Sequence, residues 1–494
     1  MRDVIIAIDQ GTTSTRVIAF DLEGMPVATH QIELAQHYPA PAHVEHDAEE
    51  IFKAVVTCCE KVVTACQENA LSPIAMGITN QRETSVLWDR RSGKAMAPAI
   101  VWQDRRTHGA CKSLQDSGHA TNIRKQTGLL LDPYFSATKM QWLLDQNPDL
   151  RRRAARGELC LGTIDSWLLF RLSGGAHYTD ATNAARTMLC DIRTGQWSSE
   201  LCALFDIPSA SLPEITDCAG QFGTSDAALF GASIPITGMI GDQQAASVGQ
   251  GCSKPGAIKS TYGTGCFLLQ NTGGDLVTSD NRLLGTIAYK LDGKISYALE
   301  GSIFSAGAGV QWLRDGLGLI SSAEDSEAAA LRTDSNGGVY MVPAFTGLGA
   351  PYWDANARGM IVGLDRSASA DHIIRATLES VAYQTHDLLV AMAEDGTPPP
   401  SLLRVDGGMV ANDWFTSFLA DILNLEIDRP RVIETTALGA AIMAGIGAGV
   451  FQSLEDGERL WQLDRIFKPR ISHDERVELL TGWKHAVARC LMQN

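Results

Sequence analysis

Several signatures are missing from these 494 residues, and each absence removes a class of function. No C-x-x-C pair and no zinc-like Cys/His spacing occurs. The eleven cysteines are scattered and odd in number, which points to reduced thiols in a cytoplasmic protein and not to a disulfide framework or a zinc site. There is no Walker A loop, because Gly93-Lys94 and Gly293-Lys294 are followed by Ala and Ile instead of Ser or Thr. The glycine loop, H-R-D and D-F-G set of the protein kinases is also absent. Fragments such as Gly263-Thr264-Gly265 lack the third glycine and the helix start of a dinucleotide site. Cations are in the minority, with a net charge of −16. That excludes a binder of the nucleic-acid backbone, but not a nucleotide enzyme, where a few local cations and a metal hold the phosphates. No apolar run is long enough to span a bilayer, and the N-terminal one stops at Asp9, so neither a membrane segment nor a signal peptide is expected.

What is present is core-forming material. With 45% hydrophobic and 20% charged residues, the chain can bury large cores, and its length suggests two large domains. The opening reads as a β-meander, with strands at residues 4–8, 16–20 and 27–32 and a turn at DLEG (residues 21–24). A helix follows, with Asp47 as N-cap and Glu50 placed for a capping box. Its apolar stripe runs through Ile51, Phe52, Val55, Val56, Val62, Val63 and Cys66. Residues 74–79 form a strand that runs into NQRE.

The same grammar returns near the middle. Residues 257–261 read as a strand that turns at YGTG into CFLLQ, and a hairpin follows at 286–289 and 295–299. A long helix is expected over 372–393, and a strand at 402–405 ends in DGG. This echo suggests an α/β chain of two domains, 1–248 and 249–494, of similar plan on either side of a deep cleft. The final helix, about 474–492, is expected to pack back on the first domain.

Two glycine/threonine turns, one per domain, are candidates for holding phosphate. GTTST (residues 11–15) follows the first strand and GTG (residues 263–265) follows the strand that opens the second half. Glycine allows close backbone approach, and amides and hydroxyls donate to phosphate oxygens. An aspartate before such a turn can hold Mg²⁺ through water, and Arg16 can balance charge. Taken alone, the stretch fits an ordinary hairpin with surface threonines equally well.

DQGTTSTR (residues 9–16) resembles the first phosphate motif of the FGGY carbohydrate kinases, a family within the superfamily of sugar kinases, heat-shock chaperones and actin. YFSATKMQWLLDQ (134–146) and GMIVGLDRSASADHIIRATLE (359–379) are similar to further family signatures. TNQRET (79–84), AIVWQDRRT (99–107) and GDQQAA (241–246) narrow the resemblance to the branch that phosphorylates glycerol. It covers essentially the whole chain.

The resemblance implies two actin-like (ribonuclease H-like) domains, ATP and Mg²⁺ as cofactors, glycerol as acceptor, a cytoplasmic location and a homodimer or homotetramer. It implies that Arg82, Glu83, Tyr134, Asp242 and Gln243 hold the polyol hydroxyls, with Trp102 and Phe267 against the carbon backbone. The chemistry of the residues agrees, since arginine only donates, ionised carboxylates only accept, and aromatic faces suit C–H edges. Asp242, after the strand-like IPITGMIG, is the expected general base. Alone in GDQQ it would fit a helix N-cap. For the nucleotide the resemblance implies Thr12, Thr13, Ser14 and Arg16 on one side, and Thr264, Gly307, Gln311, Gly408 and Asn412 on the other. Gly307 in SAGAG also fits tight helix packing. Asp9 is the candidate for organising the metal.

One stretch departs from the family pattern. GTSDAALFGAS (223–233) has no Arg, Lys or His, so neither fructose 1,6-bisphosphate control nor control by histidine phosphorylation is expected. Two other readings compete: a family member acting on another polyol or ketose, and an actin-like or chaperone-like ATPase without a small acceptor. The pocket stretches NQRE, VWQDRR and DPYFSATK match the glycerol pattern and argue against the first, and the polar-aromatic pocket set with Asp242 argues against the second.

Overall fold

The apolar run at residues 4–8 is buried on both faces, which is why it does not alternate with polar residues. In the computed structural model, which describes residues 1–354 and 356–492, it lies in β1 (Arg2–Gln10). β1 pairs antiparallel with β2 (Ser14–Asp21), and β2 with β3 (Pro26–Glu33). Helix α1 (Ala48–Glu68) follows. The Asp47 carboxylate caps it by accepting from the Glu49 backbone N–H at 2.8 Å. The capping box expected with Glu50 is replaced by this single cap, because Glu50 turns outward, 3.9 Å from His37. β4 (Leu71–Asn80), β5 (Ala219–Thr224) and β6 (Pro235–Gly241) complete a six-stranded sheet. Its order is β5-β6-β4-β1-β2-β3, with β6, β4 and β1 parallel.

Helix α2 (Asp242–Gly249) leaves β6 directly and carries the chain towards the second sheet. That sheet contains β7 (Ile258–Tyr262), β8 (Cys266–Gly273), β9 (Leu284–Leu291) and β10 (Lys294–Ile303). β11 (Leu402–Asp406), β12 (Glu426–Pro430) and β13 (Leu463–Phe467) complete it, in the order β9-β10-β8-β7-β11-β12-β13. The helices of this half are α3 (Gly307–Gln311), α4 (Ala370–Glu394), α5 (Asp413–Leu423), α6 (Thr435–Gly447) and α7 (His473–Leu491). With β9 set aside, both sheets have one plan: three antiparallel strands, two added in parallel, and a final antiparallel strand. The two-domain α/β architecture of similar halves is therefore observed.

Alternation along each strand decides what faces the junction. Val4, Ile6 and Ile8 pack in the core beneath α1. Ile5 and Ala7 pack in the core with Ala245 of α2 and Leu438 of α6. By the same alternation, Asp9 falls on the face of α2 and α6. In β7, Ile258 and Tyr262 enter the core of the second half, which leaves Lys259 on the opposite face.

The element that returns to the first sheet is α6. It meets α2 so closely that a Cβ on Gly439 would sit 1.9 Å from the Ala245 carbonyl oxygen. The final helix, expected to make that return, packs instead within the second half. Trp483 stacks on Tyr383 of α4 at 5.5 Å, and its indole N–H donates to Asp387 Oδ2 at 2.7 Å. An amphipathic stripe announces a buried face but not its partner. Among the described residues, all eleven cysteines are free and buried, and no helix is long and apolar enough to cross a membrane.

Candidate active site

β4 and β6 run parallel with Asn80 opposite Gly241, so the segments that follow them emerge side by side. Arg82 Nε lies 3.1 Å from Asp242 Oδ1. Asp242 is the first residue of α2 and also accepts from the Gln243 backbone N–H at 2.7 Å, where the helix terminus favours an anion. Burial raises its carboxyl above the usual range, against the pull of Arg82 and Lys259. The β6 end is fixed from behind: the Gly241 N–H donates to Thr182 Oγ1 at 2.8 Å, and Thr182 is held by the buried Asp180. Glu83 has φ +62°, a strained conformation costing about 1–3 kcal/mol. It is held by Arg186, whose Nε donates to Glu83 Oε1 at 2.6 Å. Burial raises the Glu83 carboxyl, while Arg186 and Arg82 oppose the shift.

Three aromatic rings close the other side. Trp102 meets Tyr134 edge-on at 5.4 Å and Phe267 at 6.4 Å. The Tyr134 turn is pinned by Lys139, whose Nζ donates to the carbonyls of Pro133, Tyr134 and Phe135 at 3.0, 2.6 and 2.8 Å. Burial pushes this ammonium down to about 8. Gln243 Oε1 accepts from Lys259 Nζ at 2.6 Å, and the Phe267 carbonyl accepts from the same nitrogen at 3.4 Å. The seven residues expected around a polyol thus converge on one mixed polar and aromatic cluster. A ligand with several hydroxyls and a short carbon chain matches its donors, acceptors and ring faces.

Sequence reasoning missed Arg186, Glu300, Lys259, Lys139 and Glu434. Glu300 and Lys259 each interrupt a buried strand, and Asp9 stands one residue from the end of another; in each case a lone charge in a buried strand was the available signal.

Of the residues expected around a nucleotide, Thr264, Gly307, Gln311, Gly408 and Asn412 line one cavity of about 490 Å³. Gly407 makes the β11 end fit: its φ is +89°, and a Cβ there would lie 2.4 Å from the Tyr262 carbonyl oxygen. Gly307 lines the cavity and is also tightly packed, its Cβ position 2.7 Å from the Gly263 carbonyl oxygen. Thr12, Thr13, Ser14 and Arg16 do not line that cavity. They sit at the β1–β2 turn, beside the aromatic cluster, where Trp102 Nε1 donates to Thr12 Oγ1 at 2.9 Å. The turn is closed by the Gly11 N–H donating to the Ser14 carbonyl at 2.9 Å, and the Leu34 N–H donates to the Thr13 carbonyl at 2.8 Å. Arg16 is engaged with Glu434, just ahead of α6, and its Nε donates to Gln31 at 2.8 Å.

Asp9 faces this junction. Burial first, and then the charges of Asp242 and Glu434, push its carboxyl up to about 7, while Arg16 opposes them. Like-charged carboxylates around one point are relieved by a cation. Among the described residues no group of three or more His, Cys, Asp or Glu side chains could hold a metal by itself. A cation here would depend on water or a ligand for most of its coordination.

The chain matches the FGGY family of carbohydrate kinases, with the N-terminal domain over residues 4–249 and the C-terminal domain over 258–448. It is 56% identical to glycerol kinase 1 of Pseudomonas aeruginosa over 490 residues, covering 99% of each chain. It is 57% identical to the glycerol kinase of Rhodospirillum rubrum, covering 98% of each. Among solved structures, the glycerol kinase of Plasmodium falciparum with ADP superposes with a TM-score of 0.94 at 38% identity, covering 99% of this chain and 98% of that one.

Proposed function

Since the chain belongs to the FGGY family of carbohydrate kinases, we propose that it transfers the terminal phosphoryl group of ATP to glycerol, with Asp242 as general base. Its activity is that of a glycerol kinase, EC 2.7.1.30. The observation that carries the mechanistic reading is the Asp242 carboxylate, fixed at a strand end against Arg82 within the polar-aromatic cluster.

In this reading Arg82, Glu83, Tyr134, Asp242 and Gln243 bind the three hydroxyls, and Trp102 and Phe267 flank the carbon chain. The five residues differ in charge and polarity, so they can distinguish the two ends of glycerol and deliver sn-glycerol 3-phosphate. Asp242 takes the proton of the attacking hydroxyl as its oxygen bonds to the γ-phosphorus. The bond from that phosphorus to the β–γ bridging oxygen breaks, ADP leaves, and Asp242 returns the proton to solvent. The raised carboxyl of Asp242 suits a base that must accept a proton and release it. Thr264, Gly307, Gln311, Gly408 and Asn412 hold the nucleotide. Thr12, Thr13, Ser14 and Arg16 meet its phosphates from the other side, which requires Arg16 to exchange Glu434 for phosphate oxygens.

Asp9 fits a Mg²⁺ held through water, because its buried carboxylate faces the charges of Asp242 and Glu434, which Arg16 offsets only in part. When bound, Mg²⁺ neutralises charge on the ATP phosphates. The enzyme also lacks control by fructose 1,6-bisphosphate or by histidine phosphorylation. In the 223–233 segment the side chain of Asp226 caps a short helix, and no cation or histidine is present.

A coupled assay of ADP release, run with glycerol, erythritol, xylulose or no acceptor, tests the reading. Turnover dependent on glycerol is expected. Preference for xylulose would indicate a ketose kinase, and turnover independent of any acceptor would indicate an ATPase. Millimolar fructose 1,6-bisphosphate should leave the glycerol rate unchanged; strong inhibition would overturn the regulatory part.

A further inference from the structure

Behind the polyol cluster lies one carboxylate from the opposite half of the molecule. Glu300 is on β10, 1% exposed, on the face opposite Leu299, which packs in the second core. Its Oε2 accepts from Arg82 Nη1 at 2.6 Å and its Oε1 from Arg82 Nη2 at 3.3 Å. The same Oε1 accepts from Arg186 Nη2 at 3.0 Å. A guanidinium is a rigid planar fork, so fixing its outer nitrogens fixes the direction of Nε. Arg82 then presents Nε to Asp242 at 3.1 Å, and Arg186 presents Nε to Glu83 at 2.6 Å. One carboxylate therefore holds the Arg82 fork by both outer nitrogens and the Arg186 fork by Nη2, and each fork meets one of the two carboxylates on the acceptor side.

We infer that Glu300 is the positioning residue of the acceptor site: through Arg82 and Arg186 it sets where Asp242 and Glu83 stand, and it ties that geometry to the second half. The inference rests on the proposed reading of Arg82, Glu83 and Asp242 as acceptor-binding groups. Electrostatics agree. Burial works against the Glu300 charge, but Arg186 and Arg82 outweigh it and hold the carboxyl down at about 2. Gln244, whose Oε1 accepts from Arg82 Nη1 at 3.2 Å, adds a second restraint on the first fork. Without Glu300, Nη2 of Arg82 is released to join Nε on Asp242 in a two-point pair. The acceptor then loses its donor, and the base is more tightly engaged. The cavity lined by Thr264, Gly307 and Asn412 contains no member of this network.

Steady-state kinetics of Glu300→Gln in the full-length enzyme, with thermal midpoints measured in parallel, test the inference. KM for glycerol should rise about tenfold or more, the scale of a lost charge-assisted hydrogen bond, with kcat reduced. KM for ATP should stay within about twofold. Glu300→Asp retains the charge but reaches one fork at a time, so its glycerol KM should fall between the two. An unchanged glycerol KM in Glu300→Gln, or equal rises in both KM values, overturns the inference. If Glu300→Gln does not accumulate folded, Arg186→Lys carries the test. It keeps the charge and loses the fork, the same selective rise is expected, and an unaltered glycerol KM is equally fatal. Absence of glycerol phosphorylation by the unmodified enzyme would instead overturn the functional reading itself.

Discussion

Lys139 and His46 show how buried charge and buried neutrality both support the site. Lys139 holds three consecutive carbonyls at the Tyr134 turn. Lys139→Met leaves those carbonyls without their donor and should raise the glycerol KM severalfold while the protein stays folded; steady-state kinetics read this directly. His46, 1% exposed, lies with Nδ1 3.4 Å from Gln81 Nε2, and Gln81 in turn donates to the Gly11 carbonyl of the phosphate turn at 3.2 Å. Burial, and then His37, push its pKa down to about 4. An unfolded imidazole titrates near ~6.5. Between these values the unfolded chain takes up a proton that the folded chain refuses. The His46 contribution to stability therefore falls as pH drops through that window, by about 2 kcal/mol at pH 5, while the raised carboxyl of Asp9 works in the opposite direction. The difference between parent and His46→Gln isolates the His46 contribution: in urea denaturation the stability change from pH 7 to pH 5 should be more favourable in the variant by about that amount. Asp9, Arg82 and Asp242 were legible in the sequence because short motifs carry them. Arg186 and Glu300 were not, because their partners lie more than a hundred residues away and only the folded sheets bring them together.

Secondary elements were readable where pattern alone decides them. The meander and α1 carry their own alternation and stripe, and the structure extends each strand of the meander by one or two residues at each end. What covers the first sheet was not readable. α6 is apolar nearly all round, so its composition says "buried" without naming a neighbour. Its contact with α2 depends on Gly439, and Gly439→Ala drives a methyl into the Ala245 carbonyl. We expect a loss of about 3 kcal/mol in urea denaturation. Gly109→Ala, at a helical glycine where the added methyl meets nothing within 4 Å beyond its chain neighbours and its own helix backbone, should be neutral or slightly stabilising.

The two halves are joined at the proposed site by side chains that cross between them. Arg82 reaches Glu300, Arg16 reaches Glu434 and Gln243 reaches Lys259. In the proposed reading the acceptor site thus draws on both halves, and the donor phosphates and the acceptor hydroxyl come in line when both are engaged. In this account Asp242 is the group that converts binding into transfer. The decisive measurement is glycerol binding and turnover in Asp242→Asn, which keeps the size of the side chain and removes its ability to accept the proton. The account predicts a soluble protein that binds glycerol within a few-fold of the parent and loses kcat by about 10²–10⁴. Turnover close to that of the parent would contradict it.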